Sequence, residues 1–412
     1  APQQRQAVVL AARSQVMLLT GGPGTGKTTS LRGVLALFDA LGLDTALAAP
    51  TGRAAKRLGE LCGVEAATIH RLLETQYDPH SGSLVFAHDE NDPLKADAVI
   101  VDETSMVDLP LMRALLAALR EECRLVLVGD PDQLPSVGPG NLFSDLIRSG
   151  AVPVVRLSEI FRQAAESAII RNAHGVNQGR PPELKNNQKD FFFLRRKDPG
   201  RAAETVVELL QTRLPQNMGI PTGQIQVLSP TRRRQAGTAA LNRAIQAAVN
   251  PPGEDRPERR FGEYIFRKGD RVMQVRNNYD VMWRERGGNC SGMGMFNGDV
   301  GIIEDVDDRG ETVTVDFEGR LVEYTPDMLG ELEPAYAVTV HKAQGSEYRA
   351  VILVACDGAP VLLTRGVLYT AITRARELLI IVGDEEVVAK MTANDRQQRR
   401  YSGLRWRLAQ GE

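Results

Sequence analysis

Cysteine is scarce in this chain of 412 residues, and the four cysteines lie far apart. Cys62, Cys123, Cys290 and Cys356 form no Cys-x-x-Cys pair, so the sequence offers neither a disulfide framework nor a zinc site of the usual spacing. No apolar run approaches the ~20 residues that cross a bilayer, and the first residues contain no apolar signal core. These absences predict a soluble, cytoplasmic protein without a membrane partner.

An excess of one charge is also lacking. Lysine and arginine number 50 and aspartate and glutamate 52, a net charge of −2 that neither favours nor excludes nucleic acid, because a groove can be basic while the whole molecule is neutral. With 42% hydrophobic and 25% charged residues the composition is typical of a folded protein, and the length predicts roughly two to four domains. The chain begins without methionine, which predicts that an upstream segment has been removed.

The segment Gly21–Thr28 is the most informative stretch that is present. It fits the pattern G-x-x-x-x-G-K-[ST], between the apolar run Val16–Thr20 and a helix-compatible stretch that begins at Thr29. In this strand–loop–helix context the glycines let backbone N–H groups point at phosphate oxygens, Lys27 adds a positive charge, and the hydroxyl of Thr28 can bind Mg²⁺. The sequence therefore predicts a nucleoside triphosphate site.

Two further loops contain the residues predicted to bind Mg²⁺, act on the attacking water and contact the γ-phosphate. Asp102 and Glu103 follow a buried apolar strand, so Asp102 can hold the Mg²⁺ and Glu103 can orient or deprotonate the attacking water. The next strand ends before Gln133, whose amide can bridge the γ-phosphate and water and respond to phosphate loss. Arg162 and Arg374 are candidates for guanidinium groups on the γ-phosphate, and we expect both in a second sheet domain.

Residues 1–150 alternate short apolar runs with helix-compatible stretches, which predicts a parallel sheet with crossover helices. The predicted strands are Val16–Thr20, Thr45–Pro50, Ala98–Asp102 and Arg124–Asp130, and the helices are Thr28–Leu41, Gly52–Leu61 and Leu109–Arg120. Residues 75–95 interrupt this alternation with a polar segment. We expect this segment to be either an inserted hairpin or a disordered surface loop.

A second α/β domain is predicted from residues 151–258 and 333–412. Within it, residues 259–332 show period-2 runs separated by Gly and Asp turns, which predicts an antiparallel β module, a small barrel, inserted into the sheet domain. The predicted strands of the second sheet are Val152–Leu157, Phe191–Arg195, Ile225–Pro230, Tyr336–Val340, Val351–Ala355 and Leu378–Val382.

The set of motifs resembles that of a superfamily 1 helicase, most closely the RecD-like branch with 5′→3′ polarity. The matches run in the family's order along the chain: Pro2–Val8, Gly21–Thr28, Ala49–Lys56, Thr68–Leu72, Val101–Ser105, Gly129–Pro135, Phe161–Gln163, Thr339–Glu347 and Tyr369–Arg376. The resemblance implies two RecA-like P-loop domains, 1A (1–150) and 2A (151–258 and 333–412), with an SH3-like β-barrel insertion, 2B (259–332). A β-hairpin pin, 1B, is implied at 75–95.

The resemblance also implies site residues. The adenine, phosphates and ribose of ATP would be bound by Gln4, Gly22, Pro23, Gly24, Thr25, Gly26, Lys27, Thr28, Thr29, Gly345 and Glu347. Single-stranded DNA would be contacted, without sequence readout, by Pro50, Thr51, Arg53, Thr68, His70, Asn278, Thr339 and His341.

The implied function is an ATP-dependent DNA helicase that moves 5′→3′ on single-stranded DNA, acts on 5′-tailed duplexes, and serves DNA repair or recombination. The alternative is a nucleotide-gated single-stranded DNA-binding protein that does not unwind. The pair Asp102-Glu103 favours the hydrolase, because binding needs the Mg²⁺ ligand but not the base. A GTPase or metabolite kinase would not need both Gln133 and two late arginines, nor a glutamine such as Gln4 on the adenine side.

Two features depart from the family pattern. The N-terminal extension of longer relatives is absent, so partner contacts made by that extension are not implied here. The tail Arg396–Arg407 has five arginines at near-helical spacing with Trp406, which favours a solvated terminal helix over a DNA contact.

Overall fold

The computed structural model describes residues 1–78, 83–288, 290–307, 311–356, 358–396, 400 and 402–410, with the backbone alone at 77–78, 83–84 and 162–163. The chain divides into two compact units, the first made of Ala1–Gln178 with Arg396–Glu412 and the second of Gly179–Asp395. In these described ranges no helix is both long and apolar enough to span a membrane. The cysteines are free thiols.

The first unit is built on a parallel sheet. Its strands are β1 (Val16–Gly21), β2 (Thr45–Ala49), β3 (Ala66–Thr68), β4 (Thr75–Asp78), β5 (Ser83–Phe86), β6 (Ala98–Val101), β7 (Arg124–Gly129) and β8 (Val154–Leu157). Its helices are α1 (Pro2–Arg13), α2 (Lys27–Ala40), α3 (Gly52–Cys62), α4 (Ile69–Leu72), α5 (Leu109–Ala117), α6 (Leu142–Ser149), α7 (Arg162–Glu166) and α8 (Ala168–Asn177).

The strand order of this sheet is β3-β2-β6-β7-β1-β8, and every pairing is parallel. The central strands β6 and β7 are apolar and buried apart from Arg124 at the start of β7, as expected for a sheet covered by helices on both faces. Two buried aliphatic clusters, one on each face, join the sheet to its helices. The four strands predicted within residues 1–150 are confirmed with bounds that differ by one residue at most.

The assignment of β8 to the second sheet is wrong. β8 pairs in parallel with β1, with Leu18 opposite Val154 and Gly21 opposite Leu157. Val155 and Leu157 are buried in the same cluster as the residues of α2, which fixes the strand in the first sheet. Arg162, expected in the second domain, therefore lies at the start of α7 in the first unit.

The polar insertion at 75–95 contains a hairpin. β4 and β5 pair antiparallel, with Thr75 opposite Phe86 and Asp78 opposite Ser83. The turn at residues 79–82 lies outside the described residues. The hairpin reading of this segment is confirmed, and the unwinding role of the pin stays a prediction.

The second unit combines a parallel sheet with an antiparallel one. Its strands are β9 (Phe191–Arg195), β10 (Ile225–Ser229), β11 (Glu258–Phe261), β12 (Tyr264–Arg267), β13 (Arg271–Gln274), β14 (Asn278–Glu285), β15 (Ser291–Met295), β16 (Val300–Val306), β17 (Val313–Phe317), β18 (Arg320–Tyr324), β19 (Leu332–Pro334), β20 (Ala337–Thr339), β21 (Tyr348–Ala355) and β22 (Ala375–Gly383). Its helices are α9 (Pro199–Glu208), α10 (Leu214–Met218), α11 (Thr238–Val249), α12 (Arg365–Ile372) and α13 (Glu385–Ala393).

The parallel sheet of this unit has the order β20-β10-β21-β22-β9. The strands predicted for it are confirmed apart from β8, although β21 begins at Tyr348, three residues before the predicted start. Asn242 on α11 fixes the sheet edge. Its amide nitrogen donates to the carbonyl oxygens of Pro334 and Ala337, at 3.1 and 2.9 Å, and its amide oxygen accepts from the backbone nitrogen of Ala337 at 2.7 Å.

The antiparallel module predicted at 259–332 is confirmed as seven strands in the order β15-β14-β18-β17-β16-β13-β19, with the ribbon β11-β12 beside them. Its core is a separate buried cluster that includes Phe266, Phe317 and Tyr324. Among the described residues no pairing joins the edge strands β15 and β19, so the expected closed barrel is not found. The module is an open, strongly paired sheet.

The tail was predicted to be part of the second domain, within the span 333–412, but it belongs to the first unit. A last helix, α14 (Leu404–Gln410), packs on α6 of the first unit, and Leu404 contacts the buried cluster on that face. The helix predicted for Arg396–Arg407 is confirmed only from Leu404 onwards, and Trp406 remains 62% exposed. The chain thus passes from the first unit to the second after Gln178 and returns after Asp395.

Candidate functional site

The loops that carry the predicted chemistry emerge from neighbouring strands. β6, β7 and β1 are adjacent in the first sheet, and their carboxyl ends lead to Asp102, to Asp130 and to the glycine loop 21–26. Parallel strands are ~4.8 Å apart, so three such ends place these loops side by side at one sheet edge.

The glycine loop has a backbone that only glycine adopts without strain. Gly24 and Gly26 have φ of 74° and 85°, in the left-handed region, and Gly26 is the residue before helix α2. The Thr25 hydroxyl donates to the carbonyl oxygen of Gly22 at 2.8 Å, and the Lys27 amine donates to the carbonyl oxygen of Gly21. Lys27 is the first residue of α2, so the loop leads directly into the positive end of a helix.

The carboxylates after β6 form an electrostatically coupled pair. Asp102 accepts a hydrogen bond from the backbone nitrogen of Glu103 at 2.8 Å. Burial, and next the charge of Glu103, raise the pKa of Asp102 to about 6, although that hydrogen bond and the charges of Lys27 and Arg57 act in the opposite direction. Glu103 has a left-handed φ of 50°, which turns the chain sharply and leaves its side chain half-buried.

The loop after β7 places Gln133 against a buried carboxylate. The Gln133 amide donates to Asp130 at 3.4 Å, and these side chains are 7% and 1% exposed. Asp130 also accepts from the backbone nitrogen of Asp132 at 3.1 Å. Asn177 of α8 donates to Asp132 at 2.7 Å, so the loop is held from within and from a helix. Burial raises the pKa of Asp132.

Gln4, the predicted adenine reader, contacts the other end of the glycine loop, and its role stays a prediction. Its amide nitrogen donates to the carbonyl oxygen of Gly26 at 3.4 Å. The ring of Phe161 also packs closely against Gly26. A Cβ atom added to this glycine would lie 2.4 Å from the Gln4 amide nitrogen and 2.5 Å from the Phe161 ring, so only glycine fits between them. Phe161 is 40% exposed. The sequence does not predict this aromatic surface, because the motif around it points to the neighbouring Arg162.

A second contact that the sequence did not signal comes from α8. A ring nitrogen of His174 lies 3.1 Å from the carbonyl oxygen of Pro23, and the backbone nitrogen of Phe161 donates to the carbonyl oxygen of Gly24 at 3.3 Å. A lone histidine on a helix carries no pattern that points to a loop 151 residues away. The glycine loop is therefore held by groups from α1, from α8 and from Phe161, the residue before α7.

The DNA candidates of the first unit occupy the other end of the same sheet edge. Pro50 and Thr51 follow β2, Thr68 ends β3, the outermost strand, and His70 follows it. Thr51 and Thr68 cap helices α3 and α4, accepting from backbone nitrogens at 3.3 and 3.1 Å. Burial lowers the pKa of His70, whose ring packs on Phe86 of the hairpin with centroids 5.9 Å apart. Arg53 is half-buried in the first turn of α3.

In the second unit, five predicted residues lie between β20 and β22. Thr339 ends β20, and His341, Gly345 and Glu347 lie in the turn before β21, where burial lowers the pKa of His341. Arg374 is 2% exposed and donates to the carbonyl oxygens of Ser346 and Thr370 at 3.1 and 3.3 Å.

Asn278 of the antiparallel module is engaged in internal contacts. Its amide nitrogen donates to both carboxylate oxygens of Glu331, at 3.1 and 3.0 Å. Its amide oxygen accepts from the backbone nitrogens of Asp280 and Val281, each at 3.1 Å. These contacts shape the start of β14, and the DNA role of Asn278 stays a prediction that they do not favour.

Comparisons with known protein families cover most of the chain. Residues 1–194 match an AAA domain, residues 241–317 the SH3 domain of ATP-dependent RecD-like DNA helicases, and residues 334–382 the C-terminal domain of UvrD-like helicases. The second match falls largely on the antiparallel module, which supports the SH3-like reading of its fold.

Curated relatives agree with these matches. The chain is 38% identical over 398 residues to the ATP-dependent RecD2 DNA helicase of Deinococcus radiodurans, an alignment that covers 96% of this chain and 51% of that protein. It is 32% identical to the RecBCD enzyme subunit RecD of Mycolicibacterium smegmatis, covering 98% of this chain and 74% of that subunit. The chain thus spans about half the length of one relative and about three quarters of the other.

The overall fold also resembles a solved structure. The crystal structure of the Pif1 helicase from Bacteroides, in complex with ADP-AlF3 and ssDNA, aligns with a TM-score of 0.55 at 19% identity, covering 97% of this chain and 94% of that one. At this identity the likeness concerns the fold alone. Together, the relatives and the motifs place this chain in the RecD-like family of superfamily 1 helicases.

Proposed function

We propose that this chain is an ATP-dependent DNA helicase that moves 5′→3′ along single-stranded DNA and separates duplexes, with ATP hydrolysis stimulated by DNA. One observation carries the proposal: phosphate-binding, carboxylate and amide loops emerge from β1, β6 and β7, while the DNA candidates follow β2 and β3 at the same sheet edge. A single rigid sheet thereby links the nucleotide candidates to the DNA candidates.

The residues of the first unit suit ATP hydrolysis. The loop 21–26 and Lys27 would bind the phosphates, Glu103 would orient or deprotonate the attacking water, and Gln133 would contact the γ-phosphate. In the folded protein Gln133 already bonds Asp130, so its amide has a defined starting position.

The oxygen donors at this site fit Mg²⁺. Thr28 and Asp102 would hold the ion, which supplies positive charge next to the transferred phosphate. Mg²⁺ is usually bound by one or two protein oxygens together with phosphate oxygens, not by a dedicated cage of side chains. In keeping with such a site, no cluster of three or more metal-ligating side chains occurs among the described residues.

The base of the nucleotide would lie between two side chains at Gly26. The Gln4 amide offers a donor and an acceptor to an adenine edge, and the partly exposed Phe161 ring offers a stacking face. Thr29, exposed in the first turn of α2, would complete the nucleotide contacts of the first unit.

The contributions of the second unit rest on its sequence motifs. Arg374, and Arg162 of the first unit, would stabilise the charge on the γ-phosphate, while Gly345 and Glu347 would lie near the ribose. Alternation between ATP-bound and released states would change the grip on DNA, which is the basis of directional movement.

DNA would be bound through its backbone. Pro50, Thr51, Arg53, Thr68 and His70 in the first unit present backbone, hydroxyl and basic groups, which bind phosphates without reading sequence. Thr339 and His341 would add the corresponding contacts in the second unit. A role in repair or recombination, action on 5′-tailed duplexes and a cytoplasmic location are further parts of this proposal.

The alternative is a DNA-binding protein gated by nucleotide but unable to unwind. The pair Asp102-Glu103 favours hydrolysis, because Glu103 is a second carboxylate, beside the metal-ligand candidate, that can act on the attacking water. Binding alone would not need this second carboxylate.

The test is ATP hydrolysis measured with and without single-stranded DNA. Hydrolysis should rise strongly on addition of DNA, and Lys27→Met should abolish it while the variant keeps the thermal unfolding midpoint of the wild type. Hydrolysis that is indifferent to DNA would exclude a translocating motor, and ATP and DNA binding without hydrolysis would establish the alternative.

A further inference from the structure

The loop that follows Gln133 is held by an arginine from the far end of the chain. The guanidinium of Arg400 donates to the carbonyl oxygens of Ser136, at 2.5 Å, of Gly138, and of Gly140, at 2.7 Å. It also donates to the Ser136 hydroxyl at 3.2 Å. One side chain thus binds four acceptors within five residues of loop.

This arrangement suits a guanidinium and no other side chain. Carbonyl oxygens only accept hydrogen bonds, and three that converge on one point need several donors arranged as a fork. Ser136 is 3% exposed, so its groups depend on partners within the protein. Three of the acceptors are bound by Nη1 and the Ser136 carbonyl by Nη2, so the single nitrogen of a lysine could not serve both positions at once.

The opposite side of the loop packs on the start of α5. The backbone nitrogen of Leu109 donates to the carbonyl oxygen of Pro139 at 3.1 Å, and a Cβ added to Gly138 would lie 1.9 Å from the Asp108 carboxylate. Residues 136–140 are therefore confined between Arg400 and α5, which begins six residues after Glu103.

Ser136 lies only three residues after Gln133, so the segment bound by Arg400 continues directly from the part of the loop at the proposed nucleotide site. Gln133 and Asp130 hold its first part, and Asn177 bonds Asp132 between them. Arg400 supplies the corresponding restraint on the second part. If the guanidinium were absent, the carbonyl oxygens of Gly138 and Gly140 would keep the Ser136 hydroxyl, at 3.2 and 3.5 Å, but the Ser136 carbonyl would lose its bond to Arg400, and the position of the Gln133 amide would be less defined.

Arg400 lies where the chain returns from the second unit, which ends at Asp395. Beyond it, the Ser402 hydroxyl donates to Asp145 at 3.2 Å and α14 packs on α6, so the residues after Arg400 are anchored to the first unit. Along the chain, Arg400 therefore lies between the end of the second unit and that anchored segment.

We propose that Arg400 is a positioning residue for ATP hydrolysis: by binding the carbonyl oxygens of Ser136, Gly138 and Gly140 it keeps the loop of Gln133 in the geometry that hydrolysis requires. The proposal rests on the proposed ATPase function and adds to it a contribution of the C-terminal tail. The helicase motifs identified in this sequence end at Arg376 and do not include Arg400.

The first test compares Arg400→Ala with Arg405→Ala, which removes an exposed arginine of α14 from the same tail. Arg400→Ala should lower kcat of the DNA-stimulated ATPase by about tenfold or more, since misplacement of a catalytic group by ~1 Å has effects up to 10²-fold. The KM for ATP should change less than about twofold, because the phosphate loop is untouched. Arg405→Ala should match the wild type. A normal kcat in Arg400→Ala overturns the proposal.

A double-mutant cycle with Gln133→Ala separates positioning from general stability. If Arg400 acts through Gln133, the double variant should have nearly the kcat of Gln133→Ala alone. Independent, multiplicative losses would show that Arg400 acts elsewhere and would reject the proposal. Arg400→Lys, which keeps the charge, should remain impaired, and it serves as the second variant if Arg400→Ala folds poorly.

Amide hydrogen exchange gives a readout that does not depend on activity. Residues 134–140 should exchange faster in Arg400→Ala and in Arg400→Lys than in the wild type, while the amides of β7 keep their protection. Unchanged exchange would refute the restraint itself. A wild type without ATPase activity would instead refute the proposed function, and exchange would still decide whether Arg400 holds the loop.

Discussion

A ring nitrogen of His174 lies 3.1 Å from the carbonyl oxygen of Pro23, so a helix that follows the first sheet is bonded to the middle of the phosphate loop. Because a carbonyl oxygen only accepts, the ring nitrogen at this contact carries the proton. Three residues later on the same helix, Asn177 bonds Asp132 in the loop of Gln133 at 2.7 Å. Helix α8 thus joins two loops of the proposed nucleotide site, and a single residue separates its end from the start of the second unit in the sequence.

Replacing the ring donor should weaken ATP binding. His174→Phe keeps a ring of similar size but leaves the Pro23 carbonyl without this bond, a loss of ~1 kcal/mol, or about fivefold in KM for ATP. His174→Gln can still donate an N–H and should stay closer to the wild type. Steady-state kinetics at saturating DNA would measure both. Equal KM values for the two variants would show that the contact does not order the loop.

The proposed base should be separable from nucleotide binding. Glu103→Gln keeps the shape of the side chain but cannot accept a proton, so kcat should fall by about 10²–10⁴-fold, the usual contribution of a general base. Binding of a fluorescent ATP analogue should persist. The neighbouring variant Asp102→Asn should lose affinity for the nucleotide–Mg²⁺ complex instead. Unchanged turnover in Glu103→Gln would remove this residue from its role.

The aromatic face beside Gln4 should act on affinity. Phe161→Ala removes the stacking partner proposed for adenine, an effect of ~1 kcal/mol and therefore about a fivefold rise in KM for ATP with little change in kcat. Phe161→Tyr keeps the ring and should behave as the wild type. The effect should be equal for ATP and dATP, which share the base. A fall in kcat at unchanged KM would argue against base stacking.

A stability prediction concerns the second unit alone. Asn242→Ala removes three buried hydrogen bonds at the edge of β20 and leaves their backbone partners unsatisfied, so the free energy of unfolding should fall by about 2–3 kcal/mol. Arg243→Ala on the exposed side of α11 should change it by less than ~0.5 kcal/mol. Denaturant unfolding would compare them. Equal stabilities would mean that the edge is held by other contacts.

Much of the fold could be predicted because its signals are local. The glycine loop, the carboxylates after β6 and the strands around them follow from short patterns of apolar, glycine and acidic residues. Which strands pair with each other depends on residues far apart in the sequence, and the wrong assignment of β8 to the second sheet shows why this is hard to predict. An apolar strand such as Val154–Leu157 fits either parallel sheet, and only the packing of Val155 and Leu157 against α2 decides.

The site was predicted in part for the same reason. Gln4, Lys27, Asp102 and Gln133 lie in motifs, and the structure places them at adjacent strand ends or at the glycine loop. His174 and Arg400 reach the site only through the tertiary fold, across 151 residues to Pro23 in one case and 260 residues to Gly140 in the other. Single side chains that bond a distant backbone carbonyl leave no spacing pattern in the sequence.

Strand separation on tailed duplexes tests the central claim most directly. With ATP and Mg²⁺, the protein should separate a duplex that carries a 5′ single-stranded tail and leave one with only a 3′ tail intact, while Glu103→Gln should separate neither. Separation of the 3′-tailed duplex alone would contradict the proposed direction. Separation of neither duplex by an active, DNA-stimulated ATPase would contradict the helicase function itself.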